Sequence, residues 1–431
     1  MKNLEKGSPK LMQAWAFYDW ANSVYTLVIA STIFPIYYGA LFRQKGIEEI
    51  QLGHFSFHSE AIIPYVTAIG FLIIAVISPL LSGIADYLGN KKFFLQFFCY
   101  LGSISCISLY FFSLENIVIS LLIYLLALIG FWGSLVFYNS YLPDIAPKEE
   151  QDRISAKGFS LGYIGSVILL LICLAMVLLV DESKAIQMMR YSFVLVGIWW
   201  IGFSQYTYYY LPNHRNNKKL HVDIIFNGFK ELNKVWQQIK HIIALRRYLG
   251  AFFVYSMAVQ TIMIIAAYFG EKEVNWGSDS KRTIGLIVSI LVIQLVAVFG
   301  AWITSKLVSK YGNIKVLIVL NFLWICICTY AYFVITPNDF YIAAFCVGLV
   351  MGGIQSLSRS TYSKLIPTDA KDTTSFFSFY DVAEKIGIVI GMLTYGYIAD
   401  ITGRIQNAIL FLILFFIVGL LLLLRVPKNK I

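Results

Sequence analysis

The chain has 431 residues, 58% of them apolar and 13% charged, where soluble domains carry roughly 45–50% and 25%. That apolar excess excludes a water-soluble globule. The net charge of +10 does not point to nucleic acid, because the basic residues fall between apolar runs instead of gathering on one folded face.

Apolar runs of spanning length lie at about 14 to 41, 61 to 85, 93 to 114, 117 to 142, 159 to 180 and 191 to 211. A second set lies at about 248 to 269, 283 to 305, 314 to 335, 340 to 366, 376 to 399 and 405 to 425. A bilayer core of about 30 Å needs roughly 20 residues per crossing, so twelve crossings use about 240 residues and the chain is long enough. The first run is long and lacks a small-residue cleavage site, so it is expected to remain as the first helix. The predicted class is an all-α membrane protein of twelve transmembrane helices in two pseudo-symmetric six-helix bundles, residues 1–212 and 248–431. Residues 213–247 join them.

Lysine and arginine are retained on the cytoplasmic side. With the N-terminus inside, that side holds about 24 basic residues, among them Lys2, Lys6, Lys10, Lys91, Lys92, Lys364, Lys428 and Lys430, and the other side about eight. Both termini are therefore expected in the cytoplasm. Short tails and no targeting extension favour a bacterial plasma membrane over a vacuolar one. In the joining segment Val222, Phe226, Phe229, Leu232, Trp236, Ile239 and Ile243 recur every three to four residues, with Lys230, Lys234 and Lys240 elsewhere on the wheel. This predicts an amphipathic helix on the inner membrane surface, tethering the halves. All six cysteines lie inside apolar runs without zinc or disulfide spacing.

An internal repeat supports two related halves. Tyr138-Asn139-Ser140-Tyr141-Leu142-Pro143 ends the fourth run, and Tyr362-Ser363-Lys364-Leu365-Ile366-Pro367 ends the tenth, 224 residues on. Gly89-Asn90-Lys91-Lys92 recurs as Gly312-Asn313-Ile314-Lys315 at an offset of 223. Duplicated halves characterise secondary carriers, whose site lies between the repeats near mid-membrane.

Gly83-Ile84-Ala85-Asp86-Tyr87-Leu88-Gly89-Asn90-Lys91-Lys92, between the second and third runs, resembles the signature loop of the major facilitator superfamily. In that loop glycines allow a tight turn and close helix approach, while the acid and bases form a charge lock, so Gly83, Asp86, Gly89, Lys91 and Lys92 are gating candidates. The matching loop in the second half has Ser309 where the acid would sit. Three further stretches narrow the resemblance: Tyr18-Asp19-Trp20-Ala21-Asn22-Ser23; Leu142-Pro143-Asp144 with Gly158 and Gly162-Tyr163-Ile164-Gly165-Ser166; and Gly352-Gly353-Ile354-Gln355-Ser356-Leu357-Ser358-Arg359-Ser360. Together with Leu365-Ile366-Pro367 they look like the unknown major facilitator family related to the autophagy-associated vacuolar amino-acid effluxer. The resemblance implies a twelve-helix carrier exporting amino acids or similar metabolites. Around Tyr255-Ser256-Met257-Ala258 relatives often place an acid and a glycine, and this sequence does not.

Ionisable groups inside spans are costly and usually face a cavity or a partner. Trp15, Asp19, Asn22 and Thr26 share one face of the first span, either lining a cavity or capping a helix contact. In the eleventh span Asp381, Glu384 and Lys385 stand at i, i+3 and i+4. Asp381 and Lys385 can neutralise each other, leaving Glu384 as the odd carboxylate. That carboxylate either takes a proton or a substrate amine, or belongs to a static packing pair. Arg359, one turn after Gln355, either grips a substrate carboxylate, snorkels to headgroups or pairs with an acid of the eleventh span. Tyr380 borders the same polar face. The glycines Gly348, Gly352, Gly353, Gly387 and Gly391 suit close helix packing.

No phosphate loop, metal-spaced histidine cluster or nucleophile elbow is present, and no cofactor is expected. His54, His58, His214, His221 and His241 fall in expected loops or the surface helix. The expected partners are a small solute, protons and membrane lipids, with the chain acting as a monomer. A solute sensor built on the same scaffold, binding without net transport, is the alternative.

Overall fold

A computed structural model describes residues 4–52, 55–213 and 224–427. Val222, His54, His214, His221, Lys2, Lys428 and Lys430 lie outside the described residues. The helices are α1 (Pro9–Val24), α2 (Phe34–Lys45), α3 (Ser59–Leu88), α4 (Lys91–Ser108), α5 (Ile117–Asn139), α6 (Leu142–Ile145) and α7 (Lys148–Leu178). They continue with α8 (Glu182–Tyr210), α9 (Ile224–His241), α10 (Ile243–Glu273), α11 (Asp279–Tyr311), α12 (Asn313–Ala331), α13 (Pro337–Leu365), α14 (Thr373–Thr402) and α15 (Ile405–Leu424). A short antiparallel hairpin, Glu49–Leu52 with Phe55–His58, precedes α3.

Eleven segments among the described residues are long and apolar enough to cross a bilayer, the first being Pro9–Lys45. The twelfth span is α14, 30 residues long but carrying Asp381, Glu384 and Lys385. Lipid leaves no water for the backbone, so helices that satisfy their own hydrogen bonds are the only way to thread this much chain through it. Two observations depart from the simple reading. The first span is not one α-helix: Tyr25–Ile33 is π-helical, a rare winding that clusters at functional sites. The fifth starts at Lys148, well before its apolar run, because a polar first turn extends beyond the oily part.

Two cores form, one from the spans up to α8 and one from α9 onward that also takes in Tyr163 of α7. The halves meet where α3 packs on α14 and α7 packs on α11. The described residues near the two ends lie on one face, here termed the tail face: Gly7 N–H donates to Ile145 O, and Arg247 near the start of α10 reaches Arg425 O at 2.7 Å. Within the second core α11 and α13 touch backbone to backbone. A Cβ on Gly352 would land on the Ala297 carbonyl, whereas one on Gly387 would meet Met257 Cγ at 3.3 Å, with Phe253 O and Ser256 Oγ at 3.5 Å. Gly352→Val is therefore expected to lower the melting temperature in detergent sharply, with Gly387→Ala close to wild type; a fluorescence melt of both variants checks this.

Candidate functional site

A buried ion pair links the halves by joining α1 to α13. Arg359 and Asp19 are both buried, and the guanidinium donates from Nη1 and Nη2, each 3.2 Å from Asp19 Oδ2. Nε donates to Ser155 Oγ at 3.0 Å, Nη2 to Ser155 O at 3.0 Å and Nη1 to Asn139 Oδ1 at 3.3 Å. All five N–H donors of an arginine are thus engaged. Rings of Trp15, Tyr138 and Phe159 surround the cation at 4.8, 5.4 and 4.3 Å, and Tyr138 Oη donates to Asp19 Oδ2 at 2.9 Å. Gly158 makes this approach possible, since a Cβ there would sit 2.5 Å from Asp19 Oδ2. Arg359 neither snorkels nor meets an acid of α14; it meets the first span.

The predicted face of α1 is buried against α5 and α7. Trp15 donates to Tyr138 O at 2.9 Å, and Asn22 is buried with its Nδ2 unpartnered. Thr26 is half-buried at the start of the π segment, and Ala30 and Ser31 beyond it are exposed.

A second cluster lies on α14. Lys385 Nζ is 2.7 Å from Asp381 Oδ1 and 2.7 Å from Glu384 Oε2, and 3.9 Å from the Trp132 ring centroid. Glu384 is therefore not a leftover carboxylate: one ammonium serves two acids, and Gln260 Nε2 donates to Glu384 Oε1 at 2.7 Å. Ser78 of the other half donates to Asp381 Oδ2 at 3.2 Å. The Lys385 side chain is 0% exposed and that of Glu384 16%, so Glu384 is the member open to a solute or solvent. Gln355 accepts from Tyr163 Oη at 2.7 Å across the halves. Tyr380 packs rather than reaches, stacking on Phe252 at 4.0 Å between centroids.

The tail face is sealed by two polar locks. In the first, Asp86 of α3 accepts the Ser375 N–H at 2.6 Å and the Thr374 N–H at 3.3 Å, so an acid of one half caps a helix of the other. Lys91 donates to Asp144 Oδ2 at 2.5 Å and to Thr373 Oγ1 at 3.0 Å. Gly89 turns the loop at φ 68°, Gly83 packs on Gly228 of α9, and Lys92 stays within its own half, donating to Leu211 O at 2.9 Å. The second lock uses other residues: Asp152 pairs with Lys364, and Asn313 donates to Asp152 Oδ1 at 2.8 Å and Thr361 Oγ1 at 3.0 Å. Asp152, Ser155 and Gln260 were not singled out from sequence, and Tyr138 stood out only as the start of a repeated motif. Only the missing acid at Ser309 signalled that the second lock must draw its carboxylate from elsewhere.

Asp86→Ala removes both acceptors at the start of α14. The expected cost is about 1 kcal/mol, read as faster amide exchange at Thr374 and Ser375 with slower-exchanging amides in mid-α14 unchanged.

The hydrogen bonds that join the halves at these sites arise from the tail-face half or the middle of their helices. On the other side α11 meets the first core through Ile287, Ile290 and Leu291, all apolar. Two helical bundles joined by polar locks on the tail face, with buried charges between them, are the arrangement expected of a carrier whose site lies between its halves.

The E. coli fucose:proton symporter FucP superposes with a TM-score of 0.68 at 16% identity, over 97% of this chain and 98% of its own. The architecture is that of a major facilitator transporter. Residues 7–431 match the family model described as vacuole effluxer Atg22 like. The MFS-type transporter YxiO of Bacillus subtilis is 34% identical over 427 residues, covering 97% of this chain and 95% of its own. Autophagy-related protein 22-1 of Aspergillus fumigatus is 24% identical over 318 residues, and the chain spans about half of that relative, 49%. The chain belongs to the Atg22-like family: it is a multi-pass membrane transporter, not an enzyme.

Proposed function

We propose that the protein exports amino acids or similar small zwitterions by alternating access, coupled to protons at Asp381, Glu384 and Lys385. The two bundles, 1–212 and 248–431, rock about the central charges, with residues 213–247 as the link. Both termini face the cytoplasm of a bacterial cell, and the chain works as a monomer.

One observation carries the site. Two carboxylates share one ammonium, so the fully ionised cluster has an uncompensated negative charge, which is expensive inside a membrane. A proton or a substrate ammonium removes the imbalance, and Glu384, less buried than Lys385 or Asp381, is the more accessible acceptor. The Arg359 to Asp19 pair is already neutral. Arg359 therefore becomes available to a substrate carboxylate only when Asp19 withdraws as the tail face opens. Export as the direction follows the family description.

The test is uptake of labelled amino acids into proteoliposomes under imposed pH gradients. Glu384→Gln is expected to keep binding and exchange but to lose the response to the gradient. A variant whose flux still follows pH like wild type removes Glu384 from proton coupling.

A further inference from the structure

The apolar face of the joining helix α9 is wide, and the protein covers only one side of it. On the first side Val235 and Ile239 are buried in the second core, while Gly228 lies against Ile84 and the Leu80 carbonyl of α3. Lys234 Nζ is 2.8 Å from Asp372 Oδ2, just before α14, and 2.8 Å from Glu231 Oε1. These two hydrogen bonds hold its ammonium above the usual lysine range. Trp236 stacks on Phe379 of α14 at 5.4 Å. This one helix thus grips α3 of the first half and α14 of the second, the same helices that the Asp86 lock joins.

The second side turns away from the protein. Phe226 is 69% exposed and Phe229 56%, with Lys230 and Lys240 exposed beside them and Lys240 Nζ 5.3 Å over the Trp236 ring. Rings left bare in water would be a liability. The helix, however, is separated from the spanning α10 by Ile242 alone and rests on the tail-face end of α3. That position is headgroup depth, where aromatic rings and lysines suit an anionic surface.

We propose that this second face docks on anionic phospholipid headgroups, and that docking holds the two halves together on the tail face. Opening that face separates α3 from α14, so α9 must release one of them. A leaflet that binds the docked helix more tightly than the released one shifts the equilibrium toward closure by that difference. The proposal does not depend on which solute is carried.

The experiment uses full-length protein in nanodiscs, with native cysteines replaced and spin labels at Glu149→Cys and Asp369→Cys, exposed tail-face positions on the two halves. The ratio of short to long separations is expected to rise about fivefold when phosphatidylglycerol is added to phosphatidylcholine, the effect of roughly one basic residue near an anionic surface. Lys230→Gln/Lys240→Gln, which leaves the Lys234 bridge intact, should lose that rise. Equal ratios in both lipids, or an unchanged rise in the variant, overturn the proposal. So does a rise produced by soluble glycerophosphate, which would mean a free-anion site. A fluorophore at Phe229→Cys should be quenched by doxyl lipid; quenching by aqueous iodide alone would place a soluble partner or water there and equally overturn it.

Discussion

Replacing Arg359 with methionine is expected to abolish transport and to destabilise the folded protein by about 3–5 kcal/mol, the usual result of removing one member of a buried ion pair. Asp19 would keep Tyr138 as a donor but lose both guanidinium contacts, and Ser155 and Asn139 would lose theirs. Arg359→Lys should fare little better. An ammonium has three donors and no planar fork, so it cannot span the carboxylate and Ser155 together. The double variant Asp19→Leu/Arg359→Met removes both charges and should recover most of the lost melting temperature while remaining inactive. Recovery of stability without flux separates a transport role from a folding role. Recovery of both would show the pair to be structural alone.

Lys385→Met carries the second large effect. With the ammonium gone, Asp381 and Glu384 face each other in a buried site, and like charges so placed cannot both ionise. A proton then stays on the cluster across the working pH range. Flux should fall about a hundredfold or more, equal to a barrier increase of about 3 kcal/mol, and the residual flux should no longer respond to pH. Lys385→Arg preserves the charge but must fit a larger group beside the Trp132 ring, so partial flux with a retained pH response is expected. Proteoliposome uptake at several external pH values reads both variants.

The spans and the duplication were legible because hydropathy and short repeats survive as local patterns. The intramembrane charges were legible for the same reason: they stand out against an apolar background. Their partners were not. Asp19 and Arg359 lie 340 residues apart, and nothing local in the chain pairs them. Arg359 could be placed at the right depth, but an acid of the eleventh span looked equally suitable. The sharing of Lys385 between two acids depends on the Glu384 rotamer, which spacing alone leaves open. The π winding over Tyr25–Ile33 contains no proline or glycine, and the one local cue, Pro35 just beyond it, which cannot donate to Ser31 O, does not by itself specify a π turn. For α9 the wheel gave one apolar face, whereas Phe226 and Phe229 point outward and Val235 and Ile239 inward, a division that only contact with α3 and α14 decides.

The most direct measurement is counterflow: proteoliposomes loaded with an unlabelled amino acid, diluted into its labelled form, with binding followed separately by thermal shift. A carrier with its site between the two bundles should accumulate label transiently, and Arg359→Met should not. Amino acids that raise the melting temperature yet never exchange across the membrane would mark a solute sensor and contradict the alternating-access assignment.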